Sequence, residues 1–129
     1  MYKELVICTI VLAIIFGLNY ITQKNTDNTV DIMYKNLEIV RKDILEENPN
    51  KELATKHSNE AYDKWEDVDD IMAYYIEHDE LEKVKTALTT MKSFVETEEY
   101  VQAVEAIDRC NYILDHIHEK EMFTLDNIL

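Results

Sequence analysis

An uncharged apolar run from Leu5 to Thr22 constrains this chain more than any other feature of its sequence. As a helix with a rise of about 1.5 Å per residue, the run would extend about 27 Å, close to the hydrocarbon thickness of a bilayer. It is too evenly apolar for the core helix of a soluble domain, which keeps a polar face. The sequence therefore predicts one membrane-spanning helix, through which the chain contacts the membrane.

The end of the run bears on whether this helix is an uncleaved anchor or a signal peptide. Signal cleavage needs small residues of the Ala-x-Ala kind, whereas the run closes with Phe-Gly-Leu-Asn-Tyr-Ile-Thr. Cys8 follows Leu-Val-Ile, not the small residues of a lipoprotein box. We expect an uncleaved anchor over residues 1–24, with a cleaved signal peptide as the alternative. The very short leading segment favours an extracytoplasmic location for the rest of the chain.

Residues 25–129 are expected to form one small acidic domain. One glycine and one proline in 129 residues favour long helices with short connections. A formal net charge of −14 repels phosphate backbones, so we expect no nucleic-acid partner. The two cysteines, one of them inside the apolar run, argue against a disulfide framework or a zinc motif.

The segment after the apolar run has apolar residues at a spacing of three and four, the pattern of a one-sided helix. A polar hinge over residues 24–29 is expected to precede this helix, with Asn28 or Thr29 as its cap and an end near Glu47. No glycine or proline forces a break, so the sequence leaves open whether the two helices are continuous. The expected buried stripe is Val30, Met33, Leu37, Val40 and Ile44.

Three further helices are predicted over residues 50–77, 80–95 and 97–120. Pro49 fits the first turn of the first of these with Asn48 as cap, while Asp79 and Thr97 are the expected caps of the other two. Their expected stripes are Leu53, His57, Ala61, Trp65, Val68, Met72 and Tyr75; Leu81, Val84, Leu88, Met91 and Val95; and Ala103, Ile107, Cys110, Leu114 and Ile117.

The short links between these helices predict an all-α fold, in which one N-terminal transmembrane helix is followed by a small antiparallel bundle of about four helices. The last helix is expected to fray near Lys120, with Thr124 as a possible further cap. The apolar residues that follow, Leu125, Ile128 and Leu129, are expected to dock onto the bundle.

No constellation of residues predicts catalysis. Cys110 lies on a predicted buried stripe, where burial raises the pKa of a thiol and makes it a poor nucleophile. The four histidines have carboxylates nearby, but no Glu-x-x-His motif occurs and the predicted stripes carry no carboxylate. We therefore expect a non-enzymatic protein without a metal or another cofactor.

Aromatic residues are concentrated on the helix that follows Pro49. Trp65 lies on its predicted stripe, Tyr62 lies one turn earlier, and Tyr74 falls off the stripe. Tryptophan and tyrosine are enriched among binding hot spots, which makes these residues candidate partner contacts. A tryptophan on an apolar stripe is nevertheless more often a core residue, and we weigh Trp65 toward the core.

Several local sequences complete the pattern: His78-Asp79-Glu80-Leu81 and, near the end, His116-Ile117, Glu121, Leu125 and Asn127-Ile128. With the lysine-bearing start, the apolar helix and the tryptophan-containing helix, they resemble the bacterial family of domain of unknown function 4363, small single-span helical proteins. The resemblance covers nearly the whole chain and is strongest around Trp65, His78, Asp79 and Asn127. It implies a membrane-anchored helical protein with no assigned activity, and an accessory role beside a multi-pass membrane protein.

These observations predict a non-enzymatic interaction or accessory module for another membrane or envelope protein, or one that self-associates. The alternative is an extracytoplasmic sensor bundle that binds a small ligand or a cation between its helices. The candidates for partner contact, or for structural roles in the core, at a cap or in docking, are Trp65, Tyr62, Tyr74, His78, Asp79 and Asn127.

Overall fold

A computed structural model describes the backbone of residues 1–128 and the side chains of residues 1–121. Its helices are α1 (Tyr2–Leu45), α2 (Lys51–Met72), α3 (His78–Glu96) and α4 (Tyr100–Ile128). Each helix packs against the next in the chain, and α4 closes the bundle by packing against α1. The predicted all-α architecture, a long apolar N-terminal helix leading into an up-and-down bundle, is confirmed.

The first helix runs without a break from the apolar run into the bundle. It contains 44 residues, which corresponds to a length of about 66 Å. The predicted hinge over residues 24–29 and its caps at Asn28 or Thr29 are therefore wrong. The segment contains no glycine or proline to interrupt the helical hydrogen bonds. The Thr26 hydroxyl donates to the Thr22 carbonyl oxygen at 2.9 Å, so it is satisfied within the helix.

The two halves of α1 meet different surroundings. We call residues 5–22 the apolar segment; no residue of its most apolar window is buried. Among the described helices, α1 alone is long and apolar enough to cross a membrane. From Thr26 onward the helix buries one side only, through Thr26, Thr29, Val30, Met33, Leu37, Val40 and Ile44.

The bundle core is formed by the predicted stripes of α1, α3 and α4, every residue of which is buried. The predicted stripe of α2 is correct at Ala61, Trp65 and Met72, which are buried. It is wrong in its first two turns, where Ala54 and Ser58 are buried and Leu53 is 41% exposed. Asn50, and not Asn48, caps this helix, because its Oδ1 accepts the Leu53 N–H at 3.0 Å. Ala54 and Ser58 continue the helical spacing of Ala61, Trp65 and Met72 toward the N-terminus.

The link between α2 and α3 differs from the prediction at both ends. α2 ends at Met72, before the expected Glu77, and α3 begins at His78 with Glu77 in the cap position. Asp79 therefore lies in the first turn of α3, and its predicted role as the cap is wrong.

The link between α3 and α4 is also displaced. Thr97 is the C-cap of α3 and does not cap α4, and its hydroxyl donates to the Ser93 carbonyl oxygen at 3.1 Å. Glu98 adopts a positive φ of 59° in the tight turn that follows.

α4 continues past Lys120 to Ile128, so the predicted fraying near Lys120 is wrong. The predicted docking of Leu125, Ile128 and Leu129 concerns side chains outside the described residues.

Candidate functional site

Three elements meet at the end of the bundle where α1 enters from the apolar segment. They are α1 around residues 25–27, the α2–α3 turn over residues 73–77, and α4 around residues 116–121. We call this end the base. It is the part of the bundle where side chains far apart in the sequence form the densest set of polar contacts, and we describe it as the candidate functional site.

Tyr75 ties the α2–α3 turn to α1. Its hydroxyl accepts a hydrogen bond from Asn25 Nδ2 at 2.7 Å and lies 3.0 Å from Thr26 Oγ1. Thr26 is fully buried, and Tyr75 packs against the hydrophobic core. These bonds clamp the turn onto α1 just beyond the end of the apolar segment.

Basic side chains of α4 contact carboxylates of the neighbouring elements at this end of the bundle. His118 Nε2 lies 2.6 Å from Asp27 Oδ1 of α1, and His116 Nδ1 lies 3.4 Å from Glu80 Oε2 of α3. Lys120 Nζ lies 3.0 Å from Glu77 Oε1 in the turn. α4 thus supplies a contact for one carboxylate on α1, one on α3 and one in the α2–α3 turn.

The electrostatics of the base follow from these contacts. The hydrogen bond from Lys120 lowers the pKa of Glu77, and the same contact raises the pKa of Lys120. Burial raises the pKa of Glu121, which favours its neutral form. The base thus contains one carboxylate, Glu77, whose charged form is favoured by Lys120, and one, Glu121, whose charged form is disfavoured by burial.

Two grooves adjoin this network. Residues of the α2–α3 turn and α4, among them Ile76 and Ile117, line a cavity of about 180 Å³, smaller than most small-molecule pockets. A second groove of about 370 Å³ runs between α1 and α4. Its lining is Asp27, Val30, Asp31, Tyr34, Asp115 and His118.

The aromatic candidates from the sequence have different environments. Trp65 is fully buried in the core, and its Nε1 has no hydrogen-bond partner among the described residues. Tyr62 is half-buried with Lys92 Nζ 4.2 Å from its ring centroid, and hydrogen bonding to Glu66 raises the pKa of Tyr62. Tyr74 lies in the α2–α3 turn and is 91% exposed.

The remaining candidates lie near the start of α3 or beyond the described side chains. His78 and Asp79 are exposed, and His78 Nε2 lies 3.6 Å from Glu82 Oε1 of the same helix. The side chain of Asn127 lies outside the described residues. The structure thus brings Tyr74, His78 and Asp79 to the base and leaves Tyr62 and Trp65 in the body of α2. Their role in partner contact stays a prediction.

The sequence did not identify Asn25, Thr26, Glu77 and Lys120 as site residues, and it placed Tyr75 on a core stripe. The polar character of residues 24–29 is visible in the sequence, but the same composition suits a hinge. The partners of these residues come from other helices, so local spacing contains no signal for the pairing.

Burial raises the pKa of the Cys110 thiol to about 12, so it is a poor nucleophile near neutral pH. Within the described part of the chain, no three His, Cys, Asp or Glu residues are grouped so as to hold a metal ion.

A comparison with family models identifies the chain. The model of domain of unknown function 4363 (DUF4363) matches residues 20–128. The chain belongs to the DUF4363 family. The match begins inside the apolar segment and covers the whole bundle, including the base, and it confirms the resemblance seen in the sequence. No curated protein and no solved structure matches the chain.

Proposed function

We propose that this DUF4363 protein is a non-enzymatic, membrane-anchored interaction module. The apolar segment of α1 crosses the bilayer, and the rest of α1 holds an acidic bundle beside it for another membrane or envelope protein. The observation that carries this proposal is the unbroken course of α1 through the apolar segment and the bundle.

The exposure of the apolar segment supports the membrane anchor. Soluble monomeric proteins rarely expose an apolar surface of this extent, whereas a bilayer would cover it on all sides. We place the bundle on the extracytoplasmic side of the membrane, and protease accessibility in intact cells would test this orientation.

The clamped base supports a role in presenting a surface. Because α1 is continuous and Tyr75 bonds to it next to the apolar segment, the bundle follows the direction of the membrane helix. A partner would then meet the bundle at a fixed height and orientation. The net charge of −14 favours a partner with a basic surface.

Cross-linking of the full chain in its native membranes would test the proposal. We expect repeatable cross-links from bundle lysines to one membrane or envelope protein or to a second copy. The matched control is Leu37→Asp, which disrupts the bundle core and leaves the anchor intact, so the cross-links should disappear. Cross-links confined to single chains, in both the wild type and the control, would contradict the proposal.

A second candidate function is a sensor for a small cationic ligand or a cation, and the groove between α1 and α4 favours it. Three carboxylates, from Asp27, Asp31 and Asp115, line this groove and would attract positive charge. Thermal melts of the full chain with divalent cations and polyamines would test it. A ligand that raises Tm in the wild type and not in Asp115→Asn would support the sensor, and unchanged melts throughout would eliminate it.

A further inference from the structure

Two exposed apolar side chains at the base have no cover from the described residues of the bundle. Tyr74, in the α2–α3 turn, is almost fully exposed, and Ile71, in the last turn of α2, is 55% exposed. Both lie at the end of the bundle that faces the apolar segment. If the apolar segment spans a bilayer, the position of these two side chains along the axis of α1 determines whether they lie in water or among lipid headgroups.

The contacts of Tyr75 with α1 fix the position of the α2–α3 turn along the axis of α1. Its hydroxyl touches Asn25 and Thr26, which lie about 5 Å past Thr22 along the helix axis. The polar headgroup layer extends about 5–8 Å beyond the hydrocarbon on each side of a bilayer. The turn that carries Tyr74 is therefore at headgroup depth, where tyrosine is enriched in membrane proteins.

α4 passes through the same depth. α4 is antiparallel to α1, and the pair of His118 with Asp27 sets their register. Beyond His118 the α4 backbone continues for about 15 Å, enough to reach the level of Asn19, about 12 Å before Asp27 in α1. Asn19, Thr22 and Gln23 are partly buried, as expected if α4 covers that side of α1.

Charge pairing makes this end of an acidic protein compatible with headgroups. Unpaired carboxylates would be repelled by lipid phosphates. Three carboxylates at this end, from Asp27, Glu77 and Glu80, each contact a basic side chain of α4, whereas Asp79 is exposed. The base thus combines exposed apolar side chains with carboxylates of which three have a basic partner.

We propose that the base of the bundle is seated in the headgroup layer of the membrane that α1 crosses, with Ile71 and Tyr74 in contact with lipid. This inference rests on the proposed membrane anchor. It assigns Tyr74 to the lipid interface, whereas the sequence made it a candidate contact for a protein partner. The bundle then has two attachments to the membrane, which hold it upright.

Site-directed spin labelling of the full chain in phosphatidylcholine vesicles tests the proposal, because no other protein is present to cover the base. Cys8→Ser removes the exposed thiol, and the raised pKa of buried Cys110 keeps it unlabelled. Labels at Tyr74→Cys and Ile71→Cys are compared with matched labels at the far end of the bundle, Val101→Cys and Leu53→Cys. All four wild-type side chains are exposed, so the variants should fold.

Accessibility to oxygen, which partitions into lipid, and to a water-soluble nickel complex gives the depth of each label. We expect headgroup depth for residues 71 and 74 and full water exposure for residues 53 and 101. A label at Ile15→Cys marks the hydrocarbon. Water exposure at residues 71 and 74 with a buried label at residue 15 would overturn the seating and leave the anchor standing. Water exposure at residue 15 as well would overturn both the seating and the membrane anchor. Shielding of the label at residue 74 that depends on the protein-to-lipid ratio would mean that a second copy of the chain covers it, and this would also overturn the seating.

Discussion

The two halves of α1 share one continuous backbone and have opposite surroundings. Leu12, in the apolar segment, is 53% exposed, and none of the most apolar window is buried, whereas Leu37, in the bundle, is fully buried. The difference lies in how apolar residues are distributed around the helix: on all sides in the first half, and along one stripe in the second. Composition therefore tells which surroundings a helix needs, and it does not tell where the helix ends.

The largest expected effect comes from placing the same charge in each half. Leu37→Asp buries an unpaired carboxylate in the core and should lower the free energy of unfolding of the bundle by more than about 4 kcal/mol. Urea unfolding of the full chain in detergent, followed by circular dichroism, measures this loss. Retention in the membrane fraction after carbonate extraction should stay unchanged.

The reciprocal change is Leu12→Asp, near the middle of the apolar segment. A charge there costs about 2.5–3.5 kcal/mol of insertion free energy, so membrane retention should fall. The urea transition of the bundle should not move, because Leu12 touches nothing in the core. If Leu12→Asp destabilised the bundle as strongly as Leu37→Asp, the two halves would not be distinct environments.

The two cysteines, one in each half of the chain's architecture, differ in exposure in the same way. Cys8 is exposed in the apolar segment, and burial raises the pKa of Cys110 from 9.0 to about 12. The unfolded chain loses the Cys110 proton first, so stability is fully present below pH 9 and falls above it. The loss is at most about 1.4 kcal/mol per pH unit.

The measurement is urea unfolding from about pH 8 to about pH 11. The control, Cys110→Ala, should be less stable at neutral pH because it leaves a small cavity, but it should show a shallower decline with pH. Parallel declines in the two proteins would mean that the Cys110 thiol is not desolvated in the folded state.

A smaller effect is expected where the two halves meet. Tyr75→Phe removes the hydroxyl that accepts from Asn25 and contacts buried Thr26, which should cost about 1 kcal/mol of bundle stability. Tyr74→Phe removes a neighbouring hydroxyl that is exposed, and it should change stability by less than about 0.5 kcal/mol. Equal urea midpoints for the two variants would show that Tyr75 does not clamp the turn to α1.

Much of the fold could be predicted because helical spacing is a local signal. The stripes of α1, α3 and α4 were correct in every residue, since each buries one regular face. The first two turns of the α2 stripe are misplaced in the prediction, because Leu53 is apolar and His57 fits the expected spacing. The structure places small Ala54 and Ser58 in the core at those turns.

The helix boundaries and the contacts at the base could not be predicted from the sequence. Residues 24–29 have a composition that suits caps and turns, but no residue there stops a helix, and the packing of the bundle carries α1 through. The pairing of Tyr75 with Asn25, and of His118 with Asp27, depends on how the helices associate. Family membership was predicted, because the matched pattern spans nearly the whole chain.

The most direct test of the account is a distance across the junction of the two halves. Spin labels on Cys8 and on Glu38→Cys, both exposed, can be measured by pulsed dipolar spectroscopy in lipid nanodiscs. A continuous α1 predicts one narrow distribution centred at about 45 Å, and Lys24→Pro, which kinks a helix, should broaden and shorten it. A broad distribution in the wild type, with most distances well below about 45 Å, would contradict the claim that one unbroken helix carries the bundle.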